Sequence, residues 1–335
     1  MKAVLAGPRY SGKSGLFDLI QSVSGAKPHL ERKERIITVT LDDHRLRKLQ
    51  SLTKRPEIVF ATYLLIDSTP AASDAESIAL WRQSDVLVAV LKPNSLDEVQ
   101  KLKTDFINEL IKLDLEVSLP RYERLKTASA KGGLHQAVDK EEFEILSPSV
   151  EHLKKNSPLW ELPLSFEAKK VLSHFAFLSL KNVVWVVNLS EENASASGFR
   201  KDIDSFAVAI SLEQQLFQLS ESERQEFAVA YGLEKPVAAE LIPHLYRKGG
   251  YITFFTVGDR EVRAWSLEKG LTAQKAAGKI HTDMEQGFIK AEVVRFEDYE
   301  KYGSKESAQY AGKLRLEGAD YIVNDGDVLQ FRFSK

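Results

Sequence analysis

Met1-Lys2-Ala3-Val4-Leu5-Ala6-Gly7-Pro8-Arg9-Tyr10-Ser11-Gly12-Lys13-Ser14-Gly15 opens the chain. Residues 3–6 are a short apolar run of the kind that forms a buried strand, and residues 14–23 carry apolar side chains at helical spacing. Between them, residues 7–14 fit GxxxxGK[ST], and the strand before and helix after are the context that this loop requires. Its glycines let the backbone wrap tightly and aim amides at phosphate oxygens. Lys13 would neutralise β and γ oxygens, and the Ser14 hydroxyl would ligate Mg²⁺. By average residue frequencies the four fixed positions arise by chance in roughly one chain of this length per hundred. Gly7, Tyr10, Ser11, Gly12, Lys13, Ser14 and Gly15 are the candidate phosphate-binding residues.

Working outward, residues 58–66, 86–91 and 183–187 are further short runs rich in β-branched residues, alternating with helical stretches at 14–23 and 74–83. That order predicts an α/β domain with a buried parallel sheet. From about residue 97 to 179 the texture becomes charged, with Leu102, Phe106, Leu110, Leu113 and Val117 at helical spacing, which predicts an inserted helical arm. Pro120 is expected to kink or end its first helix, Ala128 to Gly133 to form a flexible tip, and the prolines at 148, 158 and 163 to break the return limb into pieces. From Gly249-Gly250 onward, residues 252–265 read as a β-hairpin and residues 320–333 as another. The expected division is 1–96 plus 180–248 for the phosphate-binding domain, 97–179 for the arm and 249–335 for a small α+β domain.

Composition bounds the function. The 335 residues are 43% hydrophobic and 28% charged, close to ordinary globular proteins and long enough for two or three domains. Absence of cysteine removes disulfides, thiolate nucleophiles and zinc–thiolate sites. With 46 basic and 48 acidic residues, no global field draws the chain to nucleic acid or an anionic membrane. The apolar start is too short for a signal sequence, and no run approaches the ~18 residues of a membrane span, so a cytoplasmic protein is expected.

Asp67 ends a predicted strand where P-loop proteins place the carboxylate that holds Mg²⁺ through water, and an ordinary turn role is the competing reading. Asn188 and Glu191 follow a late strand as NxxE, where nucleotide-binding G domains place the base-reading NKxD. The seven histidines show no metal-ligand spacing, and His281 reads as structural. Lys101, Lys103, Lys112, Arg121, Arg124 and Lys126 alternate with acids, giving a solvated helix face by default and an RNA-facing one as the alternative.

The C-terminal runs ITFFTVG (252–258), EVRAW (261–265), AAGKIHTDMEQGFIKAEV (276–293) and EGADYIVNDGDVLQFRF (317–333) strongly resemble the YchF/Obg-like ATPase family over its TGS domain, a ubiquitin-like β-grasp module. The order of the rest agrees: the P-loop, residues 43–49, the arm stretch 107–111, and Asn188 to Glu192. The resemblance implies a P-loop NTPase (G-domain) α/β fold with a helical arm and a TGS domain. It also implies binding of ATP or GTP with Mg²⁺, and association with the ribosome or structured RNA in the cytoplasm, with neither a membrane nor DNA as partner. Glu191 stands where most GTPases carry Asp, and one extra methylene displaces the carboxylate that accepts guanine N–H groups, so ATP is the expected nucleotide.

Four departures bear on catalysis. Tyr10 replaces an asparagine that the resemblance associates with a catalytic potassium ion. Residues 27–33, in the place of switch I, carry no hydroxyl to close on Mg²⁺. The family's DxxG and glycine-rich switch II are reduced to Asp67-Ser68-Thr69-Pro70, and Pro70 has no amide to offer a γ-phosphate. Ala209-Ile210-Ser211 departs from the Ser-Ala-Lys pattern that supports the base. The expectation is a divergent member that binds nucleotide through Lys13 and Ser14 and hydrolyses it slowly or not at all. The alternative is an interaction module whose P-loop is a structural relic.

Overall fold

The computed structural model describes residues 1–31, 33–68, 74–131, 137–193, 205–220, 222, 223, 226 and 237–334. Thr69, Pro70 and Ala71 of the shortened switch II and the Gly132-Gly133 tip lie outside them. In chain order the first strands are β1 (Lys2–Ala6), β2 (His29–Glu31), β3 (Glu34–Thr40), β4 (Glu57–Val59), β5 (Thr62–Ser68), β6 (Val86–Leu91), β7 (Asn182–Asn188) and β8 (Ser205–Val208). Among the described residues they build a seven-stranded sheet ordered β2-β3-β5-β1-β6-β7-β8, from which β4 is absent.

The five strands from β5 to β8 are parallel. Every residue of β6 is buried, as expected of a strand covered on both faces. On one face α1 (Lys13–Ser24) packs Leu16, Phe17, Leu19 and Ile20 onto the sheet; on the other lie Trp81 of α3 (Asp74–Gln83) and Phe106 and Leu110 of α4 (Val99–Ala130). The parallel sheet expected from sequence forms, and beyond it at one edge β2 and β3, not read as strands from sequence, form an antiparallel hairpin with β3 running antiparallel to β5. The link between β2 and β3 is too short for a parallel crossover, which needs a dozen or more residues. The register sets Arg35 opposite Asp67.

Two prolines behave differently from their local propensity. α4 continues through Pro120, and α5 (Ala137–Lys154) continues through Pro148. A proline removes one helical hydrogen bond. Packing of Tyr122 and Leu125 against Leu146, Val150 and Leu153 outweighs that loss. After α5 the return limb is fragmented as expected, into short turns around α6 (Phe166–Val171).

The C-terminal residues build a six-stranded sheet ordered β12-β11-β13-β9-β10-β4, with β9 (Tyr251–Val257), β10 (Glu261–Glu268), β11 (Phe288–Arg295), β12 (Arg315–Glu317) and β13 (Asp327–Phe333). The β9–β10 hairpin matches expectation. The hairpin expected over 320–333 does not form: β13 pairs antiparallel with β11 and parallel with β9. Residues 320–323 make only the bridge from Ile322 to Thr272, because Val323 is buried in the core beneath the sheet and its amide donates to Leu271 O at 3.1 Å. The run 58–66, read as one strand, is two. β4 joins the C-terminal sheet beside β10, the chain crosses at Phe60-Ala61, and β5 enters the first sheet.

Candidate nucleotide site

The loop between β1 and α1 lies at the C-terminal ends of the parallel strands, the ordinary ligand position in open α/β sheets. Gly7 has φ +124° and a Cβ there would stand 2.4 Å from Val90 O, so the loop presses directly onto β6. Gly12, with φ +102°, leaves room for the Asn188 side chain, whose Nδ2 would be 2.3 Å from an added Cβ. Tyr10 also has positive φ, 64°, with its ring 94% exposed at the mouth of the site. The Lys13 ammonium donates to Gly7 O at 2.8 Å and Pro8 O at 2.7 Å. Burial pulls its pKa below the ordinary lysine value, against the opposing charges of Asp67 and Glu109.

Ser14 and Asp67 are brought together, the Ser14 hydroxyl donating to Asp67 Oδ2 at 2.9 Å. Asp67 is fully buried and its Oδ1 has no hydrogen-bond partner. Burial raises its pKa above the ordinary carboxyl value, while Ser14, Arg35 and Lys13 pull it back. These residues fit Mg²⁺: with its proton directed at Asp67, the Ser14 oxygen keeps a lone pair for a metal, and the orphaned carboxylate oxygen can accept from a metal-bound water.

Asn188, at the end of β7, donates from Nδ2 to Ser11 O at 3.0 Å and so braces the loop from its other flank. Glu191 lies in an exposed turn and accepts from Gln215 Nε2 at 3.1 Å. The altered segment 209–211 begins α7 (Ile210–Leu216), and Ile210 packs beneath the loop, within 3.1 Å of a Cβ placed on Gly15. Gln214 Nε2 donates to Gly15 O at 3.0 Å. Ser11 is buried with its hydroxyl unpartnered.

Residues 251–334 match the family model YchF-GTPase_C, described as a protein of unknown function (DUF933). A ribosome-binding ATPase YchF of Escherichia coli O157:H7 is 36% identical over 252 residues, 72% of this chain and 68% of that protein. A ribosome-binding ATPase YchF of Bacillus subtilis (strain 168) is 31% identical over 96% of both chains. The chain belongs to the YchF family. The solved structure of the Schizosaccharomyces pombe YchF GTPase superposes with a TM-score of 0.83 over 99% of this chain and 97% of its own, at 23% identity, so the YchF fold is shared throughout.

Several residues of this YchF chain approach the site without having been singled out from sequence. Arg35 of β3 forms an ion pair with Asp18, lies 3.8 Å from Asp67 Oδ2 and covers the Phe17 ring. Arg9 donates to Asp74 Oδ1 at 2.9 Å. Glu109, on α4, is close enough to act on the Lys13 charge. Strand register and arm docking bring Arg35 and Glu109 there, and neither is legible from spacing. The one glutamine between Asp67 and β6, Gln83, closes α3, roughly 14 Å along the helix from Asp74. It is not placed to orient a water at the loop. Among the described residues no group of three or more His, Asp or Glu side chains forms a separate metal site, and no helix is long and apolar enough to cross a membrane.

Proposed function

We propose that this YchF-family chain binds a Mg²⁺–nucleoside triphosphate, ATP in preference to GTP, and uses it in the cytoplasm while associated with the ribosome or its RNA. The observation that carries the reading is the meeting of Ser14 and Asp67, 53 residues apart in sequence, beside the Lys13 ammonium and with one buried carboxylate oxygen unclaimed. Relatives named ribosome-binding ATPase supply the partner. Bound Mg²⁺ would neutralise charge on the β- and γ-phosphates; Ser14 and Asp67 would hold it, Lys13 would neutralise the same oxygens, and the loop amides would orient the chain of phosphates. Glu191 would read the base edge, with Asn188 fixing the loop against it. In hydrolysis a water oxygen would bond to the γ-phosphorus while the bond from that phosphorus to the β–γ bridging oxygen breaks, giving nucleoside diphosphate, inorganic phosphate and a proton released to solvent. With residues 27–33 lacking a hydroxyl and Gln83 at the far end of α3, slow turnover is expected. We assign residues 1–96 and 180–248 to the nucleotide domain, 97–179 to the arm and 249–335 to a TGS-like partner-binding domain.

Calorimetric titration of nucleotide-free protein with Mg·ATP, Mg·ADP and Mg·GTP tests the reading, with Lys13→Ala as control. Wild type should bind ATP more tightly than GTP, and Lys13→Ala should lose roughly 100-fold or more, the cost of a charge-assisted contact plus a disordered loop. Unchanged affinity in the variant sinks the site assignment. No binding to folded wild type leaves the chain an interaction module with a relic loop.

A further inference from the structure

Arg9 is a permanently charged side chain inside the phosphate loop, and its ion pair with Asp74 is a weak one. Its guanidinium donates to Asp74 Oδ1 at 2.9 Å, with the two side chains 76% and 82% exposed. An exposed pair of this kind contributes little to stability, because water and salt screen it. The bond nevertheless has a definite direction. Asn188 touches the loop at Ser11 and Gly12, so that flank faces Glu191 and the base side. Ser14 and Asp67 mark the metal side. Arg9 leaves the first half of the loop toward α3, whose first residue, Asp74, follows Asp67 by seven positions. The Arg9–Asp74 pair lies within electrostatic reach of Lys13 and Glu109, beside the ammonium that would neutralise β- and γ-phosphate oxygens. Arg9 is also among the charges acting on Lys13, which holds the two carbonyls immediately preceding it, those of Gly7 and Pro8.

We propose that Arg9 is an intrinsic γ-phosphate arginine, held by Asp74 until a nucleoside triphosphate takes its place. A terminal phosphate carries about two charges and accepts the guanidinium fork with two parallel bonds, whereas Asp74 takes a single exposed one. The exchange gives the site a cation at the γ-phosphoryl group from its own chain and frees the start of α3 when a triphosphate is bound. A diphosphate has no γ-phosphate to offer, and Arg9 stays with Asp74. The inference rests on the nucleotide-binding reading above.

The experiment compares Mg·ADP with the Mg complex of the β,γ-imido analogue of ATP by calorimetry on the full chain, in wild type, Arg9→Ala, Arg9→Lys and Asp74→Asn. Arg9→Ala should lower affinity for the imido analogue roughly ten-fold or more relative to ADP, the range for a charged hydrogen bond. Arg9→Lys should recover part of the loss, because the charge returns without the fork. Asp74→Asn should raise affinity for the analogue about two- to five-fold by removing the competitor. Equal losses for both nucleotides in Arg9→Ala, or no loss in either, overturn the proposal while the nucleotide-binding reading stands. An Asp74→Asn variant as impaired as Arg9→Ala makes the pair a strut for the loop and also overturns it. Wild type that binds neither nucleotide, while folded, removes both.

Discussion

Asp67 is a carboxylate whose burial works against stability. It is fully buried, one oxygen is orphaned, and burial raises its pKa despite Ser14, Arg35 and Lys13 nearby. A carboxyl whose folded pKa exceeds the unfolded value of 3.8 holds its proton more tightly in the native state. Stability therefore falls as pH rises from the unfolded pKa through the folded one, and the full cost is present above the folded pKa. Asp67→Asn keeps the shape and removes the charge. In the absence of Mg²⁺ and nucleotide it should melt about 1–3 °C above wild type at pH 7–8, with the gap closing below pH 3.8. The same variant should lose the Mg²⁺ dependence of ATP binding. A melting point at or below wild type at neutral pH would show that the cationic neighbours, not burial, decide the state of Asp67. That Lys13, Ser14 and Asp67 would come together was legible in the sequence, because a loop motif and a strand end are written in a few consecutive residues. Arg35 was not: the last residue of the charged run 31–35 comes opposite Asp67 only when β3 pairs with β5.

At the scale of elements, α4 belongs to two cores. Phe106 and Leu110 pack beneath the first sheet, while Tyr122 and Leu125 pack against α5 in the arm. Between them Asp114, fully buried, accepts from Leu178 N and Ser179 N at 2.8 Å each and from the Ser179 hydroxyl at 2.7 Å. Arg82 Nη1 reaches the same carboxylate at 3.3 Å. This carboxylate fastens the outgoing helix to the returning chain at the base of the arm. Asp114→Ala leaves two buried amides without their acceptor and leaves the largely buried Arg82 charge with only the carbonyls of Leu113, Phe175 and Ala176, so a loss of about 3–5 kcal/mol is expected. Urea unfolding checks it as a lower midpoint at unchanged slope. A loss under about 1 kcal/mol would mean that water replaces the carboxylate at no cost. The same scale explains which elements could be read. β1, β6 and β7 are uninterrupted apolar runs whose burial on both faces overrides context. Pro120 and the 58–66 run misled because helix packing in one case, and division between two sheets in the other, are decided by residues far away in sequence.

Across the whole molecule the nucleotide site and the second sheet occupy opposite ends of the first. Gly7, Asp67 and Asn188 lie at the C-terminal ends of β1, β5 and β7, whereas the C-terminal sheet docks where β5 begins, through β4 beside β10 and through Ser266 Oγ to Thr62 O. β3 runs between the two regions, from Arg35 near Asp67 to the turn before α2 (His44–Thr53), a span of roughly 20 Å. At its far end Asp43 and Arg45 form a doubly hydrogen-bonded pair, and Arg45 Nη1 donates across the junction to Asp325 Oδ2 at 2.7 Å. Asp325 Oδ1 in turn accepts from Thr253 N at 2.8 Å, and the guanidinium lies over the Phe255 ring. One arginine thus ties the turn of the first domain to β9 and to the turn that precedes β13. Arg45→Ala should cost about 2–3 kcal/mol, less than a fully buried pair because Asp325 is half exposed. Paired with Asp325→Asn in a double-mutant cycle, it should show a coupling of about 1–2 kcal/mol. Arg45 lies at the end of β3 remote from the phosphates, so Mg·ATP affinity in Arg45→Ala should stay within about two-fold of wild type. A larger change would mean that β3 carries strain from the domain junction to Asp67, and that docking of the C-terminal domain and occupancy of the nucleotide site share one equilibrium.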